Sequence, residues 1–152
     1  MQKTGKVIAV CRSDAKGTSK DVVPSGQFCE GFGMVTDAHA DFATHRQVSL
    51  LATESIDKMR KYGLELGPGA FAENLTTEGI DLVSIPVGTR VKVGQEVVLE
   101  ISQIGKECHV GCAIFQKVGK CIMPKEGVFG RVIKGGTITP GDKIQVMYRA
   151  DS

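Results

Sequence analysis

This chain of 152 residues has no tryptophan, two tyrosines and only 5% aromatic residues. It has no apolar stretch long enough to span a bilayer, so a helical membrane anchor is not expected. Charge of one sign is also missing. The formal net charge is +2 and no block of like charges occurs, which removes the electrostatic case for nucleic acid. The N-terminal apolar run is short and lacks a convincing cleavage site. With five cysteines and no export signal, a reducing, cytoplasmic setting is expected. Linkers, low-complexity stretches and composition shifts are lacking too. The chain therefore reads as a single domain over 1–152, of a size that holds a real core.

Glycine is what the sequence has in quantity: nineteen residues, signalling many tight turns. Thr4 to Arg12 reads as a first strand, Ser13 to Phe28 as a long polar loop, and Gln47 to Ala52 as a short apolar strand. Ile56, Met59 and Tyr62 recur at helical spacing after Thr53, a candidate cap, and Gly63 stands where the helix should stop. Beyond Ile80 the pattern is strand and turn. Arg90–Val93 and Glu96–Ile101 flank Gly94-Gln95 as a hairpin. A fainter echo, Gly136-Thr-Ile-Thr-Pro-Gly141-Asp142, precedes Ile144 and Val146. Paired hairpins in a strand-rich chain favour a barrel, because closure removes exposed edges. The fold class expected is mainly β: a closed or partly closed β-barrel with a few peripheral helices and no parallel α/β core.

The chemistry concentrates in Gly105-Lys-Glu-Cys108-His109-Val-Gly-Cys112, with Cys121 and Arg131 downstream. Thiolate is the reactive and metal-binding form of cysteine, and Lys106 and His109 bias Cys108 toward it. The alternative for Cys108 is a small buried hydrophobe. Cys112 fits either reading, Cys121 fits a resolving thiol or packing, and Cys11 fits the core. Cys108, His109, Cys112 and Cys121 also offer a zinc-type donor set, but without a second paired knuckle. Asp37, His39 and Arg46 form a second cluster. An extended Asp-x-His places both side chains on one side. Histidine shuttles protons near neutrality, and arginine forks onto phosphate or carboxylate. The competing reading of Arg46 is a loop-fixing salt bridge to Asp37. His45 is assigned to solvent. Glu73-Asn74 follows a Gly-Pro-Gly turn; Asn74 has the donor and acceptor to read an amide edge, or to stabilise its own turn.

Four segments in this order carry a family resemblance: Thr36-Asp37-Ala-His39-Ala; Arg46-Gln47-Val-Ser-Leu-Leu; Gly69-Ala-Phe-Ala-Glu73-Asn74-Leu; and the cysteine segment running through Gly141-Asp142. Together they resemble a stand-alone MOSC domain, the module named for the C-terminal part of molybdenum-cofactor sulfurases. The resemblance implies a strand-rich, pyruvate-kinase-barrel-like fold and a role in sulfur or molybdenum-cofactor (molybdopterin) handling. It implies that Cys108 is the functional thiol, holding persulfide or ligating molybdenum, and that Asp37, His39, Arg46, Glu73, Asn74 and Arg131 face the cofactor. The family often has glycine where Thr36 stands. No pyridoxal-phosphate domain fits in this chain, so the sulfur of a sulfurtransferase reaction would come from a partner desulfurase or a cofactor-biosynthesis protein. The alternatives are a non-catalytic module that binds and hands over molybdopterin, and a small zinc-stabilised interaction domain.

Overall fold

The structure, a computed structural model, describes residues 3–15, 19–61, 63, 66–105 and 126–147. Strand β1 (Thr4–Arg12) is followed by β2 (Asp21–Val23), β3 (Gly26–Cys29), β4 (Gly33–Met34) and β5 (Val48–Ala52). Helix α1 (Thr53–Arg60), β6 (Leu75–Glu78), a 3-10 turn (Leu82–Ser84), β7 (Arg90–Val93) and β8 (Val97–Ile104) come next. Then come β9 (Val128–Lys134), β10 (Gly136–Ile138) and β11 (Lys143–Val146).

Seven strands close on themselves in the order β1, β11, β7, β8, β9, β5, β6, and β6 pairs back with β1. The pairings are antiparallel except β5 with β6, which is parallel. That parallel join needs a crossover, and α1 lies within it, as parallel neighbours generally require. Strand β2 hangs on the end of β1, while β3, β4 and β10 make a separate three-stranded sheet.

Alternation drives the closure. Val91 and Val93 of β7, and Val97, Leu99 and Ile101 of β8, are fully buried, with half-exposed residues between them. They meet Val7, Val10, Leu50, Leu75, Val128, Val132 and Ile144 in one core inside the barrel. Burying each such side chain contributes about 1.5–3 kcal/mol. A smaller apolar cluster lies outside the barrel, where Ile56 and Met59 of α1 cover Leu51, Phe71 and Phe129.

The mainly β barrel, β1, the β7–β8 hairpin and the helix agree with the sequence. Three details differ. The helix begins at Thr53 directly from β5, with Ala52 at the cap position and no side-chain cap. The polar stretch after β1 is not all loop. It contains β2 and β3, whose three and four residues are too short to display alternation. The second glycine turn does not make a hairpin. Strand β10 pairs with β3, whereas β11 bridges β1 and β7 and so completes the barrel. Among the described residues no helix is long and apolar enough to cross a membrane.

The seam of closure runs past Gly5, opposite Ile144. A methyl group there would press on the Glu78 carbonyl oxygen and on Ile80. Gly5→Ala is therefore expected to lower stability by about 1–3 kcal/mol through overpacking against backbone. Urea unfolding of the two proteins checks this.

Candidate functional site

The end of β1, the segment entering β2, the loop before β5 and the loop before β6 meet at one place. Lys20 lies there, with its side chain fully buried. Its ammonium donates to Asp37 Oδ1 at 2.7 Å and contacts Ser13 Oγ at 3.4 Å and His39 Nδ1 at 2.8 Å. Asp37 Oδ1 also accepts the Ser13 backbone N–H at 3.0 Å, and Oδ2 accepts the His39 backbone N–H at 3.2 Å. That last bond is an Asx-type turn, in which an aspartate holds the backbone two residues on. Asp-x-His is thus a turn and not the extended element read from the sequence. Burial pushes the Asp37 carboxyl up. The Lys20 ammonium, the Ser13 N–H and the Asn74 side chain outweigh it and hold the group below its usual range.

Thr36 sits beside this turn with φ of 74°, the left-handed region that glycine favours. The Arg12 guanidinium donates to the Thr36 carbonyl from Nε at 3.1 Å and Nη2 at 2.7 Å, and also pairs with Asp14. Those bonds hold a threonine in a backbone conformation that costs about 1–3 kcal/mol elsewhere.

Glu73 and Asn74 are fully buried. The Glu73 carboxylate accepts the backbone N–H groups of Gly69 (3.0 Å) and Phe71 (3.2 Å) and the Thr76 hydroxyl (2.7 Å). It thereby ties down the loop ahead of β6. Burial nevertheless raises its pKa above the ordinary 4.5. Asn74 donates from Nδ2 to the Cys11 carbonyl at 3.2 Å, and its Oδ1 accepts from the Ser49 N–H (3.0 Å) and hydroxyl (3.2 Å). Its amide stitches β1, β5 and β6 together. Cys11 is buried beside Glu73, and burial, with the nearby Glu73 charge, pushes its thiol up to about 12. Such a thiol stays protonated and inert.

Arg46 and Arg131 are exposed. The ionic partner of Asp37 is Lys20, not Arg46, whose guanidinium has no partner among the described residues. Arg131 of β9 lies opposite Glu100 of β8, 3.8 Å from its carboxylate, and Arg90 of β7 approaches the same carboxylate at 3.5 Å. His45 is half-buried, not solvated, and its Nδ1 has no hydrogen-bond partner among the described residues. Cys108, His109, Cys112 and Cys121 lie outside the described residues, so the nominated thiol and the zinc-type set are not placed. The Gly105 N–H bonds the Gly127 carbonyl at 2.6 Å, joining the end of β8 to the start of β9. Glu126 in turn accepts from Ser55 and Lys58 of α1. A hollow of about 350 Å³ opens there, lined by Ser55, Lys58, Ile80, Leu82 and Glu126, away from Asp37 and His39.

The structure therefore gathers Asp37, His39 and Asn74, sets Glu73 just behind them, and leaves both arginines at the surface. The residue missed from the sequence is Lys20. Within Lys-Gly-Thr-Ser-Lys it has the look of a solvated loop lysine, and no spacing rule marks it.

The MOSC domain profile matches residues 37–145, from Asp37 itself to the last strand. The chain belongs to the MOSC domain family. MOSC domains are associated with molybdenum-cofactor sulfurase-like proteins. The fold is similar to that of the YuaD protein from Bacillus subtilis, with a TM-score of 0.77 at 19% identity over 96% of this chain and 97% of that one. YiiM from Geobacillus stearothermophilus is similar at a TM-score of 0.69 and 19% identity, over 95% of this chain and 76% of that one. YiiM from Escherichia coli is similar at 0.63 and 18%, over 95% and 70%. No curated protein matches the chain.

The two carboxylates of this MOSC domain have opposite pH linkage. Asp37 is depressed in the fold, so its stabilisation is complete above its unfolded value of 3.8 and is lost as pH falls through the folded value. Glu73 is raised, so its ionisation costs stability as pH climbs from 4.5 through its folded value. Urea midpoints measured across pH should lose their acid-side fall in Asp37→Asn and their decline above pH 4.5 in Glu73→Gln. Unchanged slopes in both variants would refute the assignment.

Proposed function

We propose that this MOSC domain carries sulfur for the molybdenum cofactor, with Cys108 as the carrier thiol and a separate desulfurase or cofactor-biosynthesis protein as donor. The observation that carries the reading is the family match, which takes in Asp37, Cys108 and Arg131 in one collinear span. Among the described cysteines, Cys11 does not compete for the role. Cys11 is buried with a pKa pushed up to about 12, and Cys29, which is exposed, lies in a strand of the small sheet beside Glu30. A buried thiol held protonated in this way, as Cys11 is, is not a nucleophile.

The transfer balances without an outside oxidant. The Cys108 thiolate attacks the outer sulfur of the donor's persulfide. The donor's S–S bond breaks, the donor leaves as a thiolate, and Cys108 becomes the persulfide. A bound molybdenum cofactor, molybdopterin with its metal, would supply the site that accepts or holds that sulfur. Of the nominated residues, Arg46, Arg131 and His39 suit its phosphate and polar edge, because guanidinium and imidazole N–H groups are donors. The side chains of Asp37, Glu73 and Asn74 are engaged within the protein, and their part is to hold the donors in place.

Exposure of purified protein to inorganic polysulfide, followed by peptide mass spectrometry, tests the reading. A mass increase of about 32 Da, one sulfur atom, is expected on Cys108 and on no other cysteine. Cys108→Ser should lose it with an unchanged unfolding midpoint. An adduct confined to Cys29 or Cys112, or full loading of Cys108→Ser, would overturn the reading. Molybdopterin binding that survives the substitution, with no sulfur loading in the wild type, would make the domain a hand-over module instead.

A further inference from the structure

A lysine ammonium has three protons to donate and no lone pair with which to accept. Lys20, fully buried, has three neighbours within reach: Asp37 Oδ1, His39 Nδ1 and Ser13 Oγ. The 2.8 Å contact to His39 Nδ1 is therefore possible only if that nitrogen carries its lone pair. We infer that Lys20 is a positioning residue that fixes His39 as the neutral tautomer with its proton on Nε2.

This reverses what an Asp–His pair ordinarily does. In such a pair the carboxylate accepts a hydrogen bond from Nδ1–H, and Nε2 is left as the base. Here Asp37 Oδ2 stands 3.9 Å from His39 Nδ1, beyond hydrogen-bond range, and its lone pairs go to Lys20 and to backbone N–H groups. Among the described residues, Arg12 and Asp14 pair with each other against the Thr36 carbonyl, and the ammonium against the His39 ring is that of Lys20. A donor-only ammonium at 2.8 Å from Nδ1 sets the tautomer. The His39 side chain is 34% exposed. In that form Nε2 is a hydrogen-bond donor and not a general base. The inference stands whether or not Cys108 carries sulfur, so the two can fail separately.

Long-range proton–nitrogen correlation spectra of the full chain, with imidazole nitrogens labelled, read the tautomer directly. Signals are assigned against His39→Gln, which separates His39 from His45 and His109. Near neutral pH the wild type should show an unprotonated Nδ1 and a protonated Nε2 for His39. A protonated Nδ1, or an averaged pair of shifts, would overturn the inference. Lys20→Met should release His39 to a mixed or Nδ1-protonated state, and Lys20→Arg, also donor-only, should restore the Nε2–H form. Because Lys20→Met leaves the Asp37 charge buried and alone, the double variant Lys20→Met/Asp37→Asn serves if the single one does not fold. A pure Nε2–H signal that persists without Lys20 would show that something else sets the tautomer.

Discussion

The ion pair between Lys20 and Asp37, closed off from solvent on both sides, is the interaction on which the candidate site depends. Taking two charges out of water costs several kcal/mol per ion, and the cost is met only when the remaining protons and lone pairs are also satisfied. Here Ser13, His39 and the turn backbone satisfy them. The same demand fixes the path of the chain. Lys20 is anchored through its backbone N–H to the Gly69 carbonyl at 2.8 Å, and Gly69 approaches so closely that a side chain there would strike the Lys20 carbonyl. Glu73 then holds the Gly69 loop from below. A pair that looks local thus fastens the end of β1 and the loops before β5 and β6 to one another.

What was legible in the sequence is what repeats. β1 is a continuous apolar run from Val7 to Cys11, β7 and β8 alternate, and α1 presents Ile56 and Met59 at helical spacing, so each element could be read from a few residues. What was not legible depends on partners far along the chain. Lys20 is buried only because Asp37, seventeen residues on, and Gly69 come to it. Strand β10 left its expected hairpin because closure required β11 to bridge β7 and β1, a demand that no local pattern expresses. Thr36 is a similar case. The missing glycine was visible, but the Arg12 side chain that holds the strained carbonyl was not.

The arrangement divides the candidate residues into those that hold and those that can reach out. Glu73 and Asn74 are consumed by backbone and hydroxyl partners, as buried polar groups must be. Arg46 and Arg131 keep their guanidinium groups at the surface, and His39, rooted in the buried pair, is one-third exposed. Charge and hydrogen bonding behind His39 hold it in place, as a rigid candidate site requires. It accords with a family associated with molybdenum-cofactor sulfurase-like proteins, whose fold this chain shares across 37–145.

A double-mutant cycle on Lys20→Met and Asp37→Asn, followed by urea unfolding, tests the central claim most directly. If the buried pair organises the site, each single variant should lose about 3–5 kcal/mol, because each leaves an uncompensated charge inside the protein. The double variant should then recover most of that loss, giving a coupling of about 3 kcal/mol or more. Single losses below about 1 kcal/mol that simply add in the double variant would mean that the two groups are solvated and independent, and would contradict the account.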